Sequence, residues 1–168
     1  MQALPWGDAS FDVAAGFNSF FFAADLVAAL AEAGRVTRPG GTVVIQVWGR
    51  PEHNDLEAMK VVARRYAPPP PPDAPAPPAL WREGVLEDLA GAAGLEPRES
   101  FDVRYAITLP DAGTLGRELL SPMGLAALVG PEREAAVREE IAEAMSPFRT
   151  AAGGFRLASE FRVLLARA

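Results

Sequence analysis

The first 48 residues carry a pattern of apolar and polar positions that predicts a strand, a helix and a second strand. Residues 11–17 form a short apolar run bounded by polar and glycine positions, which is typical of a strand. Asp25 is a suitable N-cap for the helix that follows, and this helix would place Leu26, Val27 and Leu30 on one face.

The second strand is introduced by a turn. Pro39 and Gly40 suit a type II turn, because proline restricts φ at its second position and glycine supplies a positive φ at its third. Residues 42–47 are β-branched and almost wholly apolar, which predicts a strand covered on both faces. Two such strands joined through a helix predict a right-handed parallel crossover.

The remaining chain predicts further helices and two more strands. A helix capped by Asp55 ends by Ala67, and a second helix covers residues 83–93 and is ended by Gly94. A strand over residues 100–108 is followed by a helix from Asp111 to about Leu120. After boundaries at Ser121-Pro122 and Gly130-Pro131, a helix covers residues 131–145 and a last strand covers residues 155–166. Residues 100–108 alternate cleanly between apolar and polar side chains, which is typical of an edge or antiparallel strand.

Two segments allow alternative interpretations. Residues 67–79 are rich in proline and suit a stiff surface loop, or a ligand for an adaptor with an aromatic groove. Residues 111–145 suit a lid over a substrate or a dimer surface, because both would be amphipathic helices broken by glycine and proline.

Composition narrows the class of protein. The chain has 168 residues, of which 49% are hydrophobic, so one globular domain is expected. A net charge of −6 argues against nucleic acid or an anionic membrane as partner, and the lack of cysteine excludes disulfides, thiolate metal sites and a cysteine nucleophile. Polar residues interrupt the apolar stretch 17–33, and no secretory signal pattern is evident, so a cytoplasmic protein is expected. Richness in Ala, Pro, Arg and Gly suggests a bacterial genome of high GC content.

Two segments of the opening unit resemble a family. The segments ALPWGDASFDV (residues 3–13) and RVTRPGGTVVIQVWG (residues 35–49) resemble the middle of class I S-adenosylmethionine-dependent methyltransferases that act on small molecules. The resemblance implies an α/β fold, a partial doubly wound (Rossmann-like) sheet of about four mixed strands with flanking helices and a small helical insertion. The four strands would be the fourth to seventh of the family, in the spatial order fourth, fifth, seventh, sixth. It also implies a single domain over residues 1–168, with a helical lid or insertion at residues 110–147.

Other parts of the family pattern are not found in this sequence. The family begins with a strand that runs into a glycine-rich turn, and continues to a second strand that ends in an acidic residue. We therefore expect the chain to be the C-terminal half of such a domain, whose start is an internal or misassigned methionine or a cleavage product. Such a half would be unable to catalyse methyl transfer alone, and its binding of S-adenosylmethionine alone would be doubtful. The strand at residues 11–17 would then have a bare edge, which we expect a second copy or another chain to cover.

The resemblance also implies a set of cofactor residues. These are Met1, Gln2, Ala3 and Leu4, which would lie along the adenine, and Phe17, Asn18 and Ser19, which would lie near the methionine part of the cofactor. The aromatic residues at positions 17 and 20–22 fit a hydrophobic core better than a ligand site, because apolar runs usually serve packing. Asn18 is the stronger candidate, because a polar residue between buried aromatic residues needs a partner.

The candidate substrate residues are Phe20, Trp48 and His53. Trp48 follows the second strand and suits either the wall of a substrate pocket or a rim that covers the end of the sheet. His53 is the sole histidine, and it could act as a general base or simply be solvated in a surface loop. One imidazole without clustered carboxylates predicts no metal site.

Two functions of different classes remain open from the sequence. The first is methyl transfer to a small molecule, in which positioning supplies most of the acceleration, so the absence of a catalytic triad is expected. The second is a non-catalytic half-domain that acts as an interaction or dimerisation module.

Overall fold

The computed structural model describes residues 1–68, 78–120 and 125–168. The strands are β1 (Phe11–Phe17), β2 (Thr37–Trp48), β3 (Glu96–Leu109) and β4 (Phe155–Arg167). The α-helices are α1 (Leu26–Val36), α2 (Met59–Tyr66), α3 (Val85–Ala92), α4 (Ala112–Leu120), α5 (Leu125–Val129) and α6 (Glu134–Ala144), and 3-10 turns cover Phe20–Phe22, Pro51–His53, Asp55–Ala58 and Ser146–Phe148. In the described ranges, every helix is too short or too polar to cross a membrane.

The four strands form one mixed sheet in the order β1-β2-β4-β3. β1 and β2 are parallel, with Ala15 paired to Val44, and β4 runs antiparallel to β2, with Ile45 paired to Leu164. This order confirms the predicted arrangement of fourth, fifth, seventh and sixth strands. The chain has a partial Rossmann-like α/β fold, with helices flanking a four-stranded sheet.

The turn at Pro39 and Gly40 lies inside β2 as an irregularity. Phe11 pairs with Thr37, but Val13, two residues further on, pairs with Thr42, so β2 carries additional residues at this point. Gly40 has a φ of 83°, which confirms the predicted positive φ. The end of the chain closes this feature, because the Gly40 N–H donates to the carbonyl oxygen of Ala168 at 2.8 Å.

Contacts between residues divide the chain into two compact units. The first unit comprises Met1–Arg50, Pro78–Arg104 and Glu160–Ala168, and the second comprises Pro51–Pro77 and Tyr105–Ser159. In the first unit, α1 and α3 pack their apolar residues, such as Leu30 and Leu86, against Ile45 and Leu164 of the sheet. The second unit has its own core, in which Met59, Leu115, Ile141 and Phe155 are buried. A division by contacts does not by itself separate independent domains, so a single domain over residues 1–168 stays a prediction.

Most local signals in the sequence hold in the structure, with two exceptions. The Asp25 side chain accepts from the Ala28 N–H at 2.9 Å, as predicted for the cap of α1. Asp55 does not cap α2: a 3-10 turn separates them, and the Asp55 carboxylate accepts instead from the Ala158 N–H at 2.6 Å. α6 begins at Glu134, three residues later than expected. The Ser121-Pro122 boundary and most of the proline-rich segment lie outside the described residues.

Candidate functional site

A cavity of about 330 Å³ lies in the first unit, between β1, α1 and the N-terminal segment. Its walls are almost wholly apolar and comprise Met1, Leu4, Trp6, Phe11, Val13, Ala14, Ala15, Gly16, Ser19, Phe20, Ala29, Ala33 and Val36. The space exists because the residues at the centre of β1 and along α1 are small. Alanine and glycine are too small to fill the gap between the helix and the strand. The cavity has the volume of a small-molecule site.

The N-terminal wall of the cavity is held by a carboxylate and a guanidinium on α1. Glu32 Oε1 accepts from the backbone N–H of Leu4 at 2.7 Å. Arg35 donates to Glu32 at 2.7 and 2.8 Å, to the carbonyl oxygen of Trp6 at 2.8 Å and to Asp8 at 2.6 Å. These contacts attach the otherwise irregular N-terminal segment to α1, and they explain how Met1 and Leu4 come to line a defined space.

The pair on α1 is electrostatically stabilised. The hydrogen bond from Arg35, followed by the one from the Leu4 N–H, lowers the pKa of Glu32 from 4.5 to about 2. The hydrogen bond to Glu32, followed by the one to Asp8, raises the pKa of Arg35. Glu32 therefore remains ionised at any physiological pH and accepts from both partners.

The floor of the cavity depends on a glycine. A Cβ atom at Gly16 would come within 2.1 Å of the Phe20 ring, which is itself buried. Only glycine at position 16 lets this ring pack against β1. The ring is thereby placed at the carboxyl end of the strand, where ligands bind in open α/β sheets.

Asn18 follows β1 directly and has unusual geometry. Its φ is +48°, a left-handed conformation that is uncommon for residues other than glycine. Its backbone N–H donates to the carbonyl oxygen of Gln46 at 3.0 Å, whereas its side-chain oxygen Oδ1 is buried without a hydrogen-bond partner. An unpaired buried acceptor and a strained backbone at one residue suggest a functional constraint.

The structure brings together some, but not all, of the predicted cofactor and substrate residues. Met1, Leu4, Ser19 and Phe20 line the cavity. Gln2 and Ala3 are exposed beside it, Phe17 is exposed at the end of β1, and Asn18 is next to the cavity wall in the chain. The two remaining substrate candidates lie elsewhere: Trp48 packs on Phe161 with ring centroids 5.0 Å apart, and His53 belongs to the second unit.

Sequence reasoning missed a buried carboxylate near the end of β2. Glu160 on β4 is only 1% exposed and accepts from Arg50 Nε at 3.0 Å and from Arg104 Nε at 3.1 Å. Gly49 lies so close to the Glu160 backbone that a Cβ there would come within 2.8 Å of it. No local pattern could have shown this group, because Glu160 is separated from Arg50 by 110 residues.

Metal-binding side chains do not gather in the part of the chain that the structure describes. There, no three His, Cys, Asp or Glu residues lie close enough to hold a metal ion.

Comparison with known proteins supports the family resemblance. Residues 1–45 match the methyltransferase domain family. Two uncharacterized proteins, one from Mycobacterium tuberculosis and one from Mycobacterium bovis, are each 36% identical over 115 residues, which is 63% of this chain and 41% of each relative. The matched region thus spans less than half of the length of these curated relatives.

Solved structures show the same fold at low identity. A protein of Bacillus halodurans C-125 proposed to be a methyltransferase superposes with a TM-score of 0.54 and 17% identity, covering 99% of this chain and 68% of its own. The [4+2]-cyclase SpnF gives a TM-score of 0.50 and 20% identity, covering 99% of this chain and 52% of its own. The sequence match and the shared fold confirm the resemblance to class I S-adenosylmethionine-dependent methyltransferases.

Proposed function

We propose that this chain is part of an enzyme that transfers a methyl group from S-adenosylmethionine to a small molecule, and that its cavity holds part of the cofactor. The observation that carries the proposal is the cavity beside β1. It joins the N-terminal pair Met1 and Leu4, expected along the adenine, to Ser19 and Phe20 at the carboxyl end of the strand. These residues come from separate segments of the family pattern.

The residues present fit one part of the cofactor. The apolar walls suit the flat faces of a purine base, and the unpaired Oδ1 of Asn18 can accept a hydrogen bond from a ligand N–H. A glycine-rich turn and a ribose-binding carboxylate, the other elements of the family's site, are not found in this sequence. Within the proposal, this chain therefore contributes only part of the nucleoside site, and its affinity alone is weak.

In the proposed enzyme, the residues of this chain act by binding and orientation. When bound, the cofactor supplies an electrophilic methyl group on a positively charged sulfur. Glu32 and Arg35 hold the N-terminal wall, Gly16 and Phe20 shape the floor, and Asn18 offers an acceptor at the strand end. Such positioning accounts for acceleration without a catalytic triad.

Nuclear magnetic resonance of the 168-residue chain tests the proposal. S-adenosylmethionine is titrated to millimolar concentration, and amide shifts are followed for the wild type, Asn18→Gly and Ala9→Gly. Glycine retains the left-handed backbone at both sites, where φ is 48° and 52°, so the two variants differ in the side chain removed. We expect weak binding with shifts confined to the cavity, a several-fold loss of affinity in Asn18→Gly and no change in Ala9→Gly.

Four outcomes would contradict parts of the proposal. Shifts that avoid the cavity, or no shift at any concentration, would show that the cavity is not the cofactor site. Equal affinity of the two variants would remove Asn18 from the site. Submillimolar affinity of the wild type would show that the chain binds the cofactor without further elements.

A second function, a non-catalytic interaction module, is favoured by one observation. Phe17 is 62% exposed and Val13 is 56% exposed on β1, although apolar side chains in a sheet are normally covered. A fold by itself does not establish a function, so the fold is compatible with either one. Nuclear magnetic resonance separates the two functions, because an interaction module would not bind the cofactor.

A further inference from the structure

Glu160 is a buried carboxylate that binds arginines from two other parts of the chain. Its side chain is 1% exposed, and its Oε1 accepts from Arg50 Nε at 3.0 Å. Its Oε2 accepts from Arg104 Nε at 3.1 Å. The Arg50 backbone N–H also donates to Oε1, at 3.3 Å. These three residues form one group of contacts, which we call the Glu160 cluster.

The members of the Glu160 cluster lie where the chain passes between the two units. The first unit breaks off after Arg50 and after Arg104, and it resumes at Glu160. A fourth connection, between residues 77 and 78, has one side outside the described residues. The Glu160 cluster therefore joins the three ends of the first unit whose connections to the second unit are described.

The strand β4, which contains Glu160, belongs to the cores of both units. Phe155 and Leu157, at its beginning, are buried in the core of the second unit. Leu164 and Ala166, near its end, are buried in the core of the first unit. Glu160 lies between these two pairs, so this strand of 13 residues carries a buried charge where it passes from one core to the other.

The strength of the Glu160 cluster depends on the order of all three connections. A hydrogen bond to a charged group stabilises strongly when the group is buried, whereas an ion pair at the surface contributes little. If the second unit unfolded alone, Arg50, Arg104 and Glu160 would become frayed ends of the remaining chain segments, and water would reach the carboxylate. The cluster would then lose most of its stabilising effect. Unfolding of the first unit would break it directly.

We propose that the Glu160 cluster couples the two units, so that neither unfolds without the other. The coupling free energy is lost when either unit unfolds, so it acts equally in both directions. Residues 110–147, which the sequence predicts to be a lid or an insertion, lie within the second unit. The coupling makes this segment a permanent part of the folded chain, and it rules out a lid that opens by unfolding on its own.

Two spectroscopic probes follow the two units separately when the 168-residue chain is denatured with urea. All three tryptophans, Trp6, Trp48 and Trp81, belong to the first unit, so their fluorescence reports on that unit. Four of the six described α-helices, which are α2, α4, α5 and α6, belong to the second unit and dominate the far-ultraviolet circular dichroism. We expect coincident transitions in the wild type, as a single cooperative unit requires.

Variants of the Glu160 cluster should separate these transitions. Glu160→Gln keeps the size of the side chain and removes its charge, and it should move the two midpoints apart by roughly 0.5 M urea or more, because each unit then follows its own stability. Arg104→Met leaves one arginine on the carboxylate and should produce a measurable but smaller separation. The matched control is Glu140→Gln, since Glu140 accepts from Tyr66 at 2.7 Å and from Arg65 at 2.8 Å within the second unit. In this control both transitions should remain coincident.

Native-state hydrogen exchange gives an independent measurement along β4. In the wild type, the most protected amides of residues 155–159 and of residues 161–166 should become exposed in the same opening event. In Glu160→Gln, the protection of these two segments should differ by about tenfold or more. Glu140→Gln should leave the two segments equally protected.

Several results would overturn the coupling. Separate transitions in the wild type would show that the units unfold independently. Coincident transitions in Glu160→Gln and Arg104→Met would show that other contacts join the units. Separate transitions in Glu140→Gln would show that the loss of any paired carboxylate has this effect. If Glu160→Gln does not fold, Arg104→Met decides between coupling and its absence.

Discussion

Replacement of Gly16 by alanine is expected to destabilise the first unit by forcing the floor of the cavity apart. The new Cβ would lie 2.1, 2.4 and 2.8 Å from three atoms of the Phe20 ring, whereas carbon atoms in contact are separated by about 3.5–4.0 Å. The ring must therefore move by more than an ångström. Because Phe20 is only 6% exposed and packs in the core, that movement displaces other buried groups.

The size of the effect follows from this overpacking. Extra methyl groups in a well-packed core cost roughly 1–3 kcal/mol. For a chain of this length, each kcal/mol lowers the melting temperature by about 2–4 °C. Gly16→Ala should therefore lower it by roughly 2–12 °C, measured by thermal and urea denaturation with circular dichroism.

Two further variants identify the cause of this loss. Gly91→Ala is the matched control, since nothing lies within 4 Å of a Cβ at this position in α3, and alanine there should stabilise by about 0.5–1 kcal/mol. Adding Phe20→Leu to Gly16→Ala should restore part of the stability, because the leucine side chain is smaller than the phenylalanine ring. The double-mutant cycle should therefore show a coupling of about 1 kcal/mol. The reasoning is refuted if Gly16→Ala is as stable as the wild type, or if the two changes add without coupling.

Two other predictions concern carboxylates that hold distant segments. Glu160→Gln should cost about 1.5–3 kcal/mol in urea denaturation, because it removes charge-assisted bonds from Arg50 at a buried group, and a loss under 0.5 kcal/mol would contradict the assigned role. The pKa of Glu32 is lowered below its unfolded value of 4.5, so its contribution to stability is present above pH 4.5 and is lost as the pH falls toward 2. Carboxyl ¹³C shifts should place the titration of Glu32 near pH 2. In the wild type, the Leu4 amide should lose its protection from hydrogen exchange as the pH falls from 4.5 toward 2. Glu32→Gln should show no such acid-induced loss, because its N-terminal segment is already loosened at neutral pH. Titration near pH 4.5 would contradict the contact with Arg35.

The family resemblance, and not a local signal, supplied most of the residues proposed for the site. It named residues in segments 1–4 and 17–20, and the cavity contains members of both segments. The left-handed φ of Asn18 has no signature in the sequence, since asparagine adopts this conformation only in some contexts. Trp48 and His53 also come after the strand predicted at residues 42–47. Whether either residue lines the cavity depends on the path of the chain after that strand, which the sequence does not show.

Long-range contacts overrode one local signal. Asp55 has the residue type and position of an N-cap, yet its carboxylate accepts from the Ala158 N–H, which is 103 residues away. A short polar side chain can satisfy either a helix end or a distant backbone group at similar energy. Only the packed chain decides between the two.

The sequence by itself determined the strands, most of the helices and the conformation of Gly40, because apolar periodicity, capping side chains and glycine act over a few neighbouring residues. The tertiary structure decided which residues meet: Leu4 with Glu32, Gly16 with Phe20, and Arg50 with Glu160. The physical reason is that a hydrogen bond or a packing contact between distant residues depends on how the sheet is ordered and on which of its faces the helices cover. No window of the sequence contains that information.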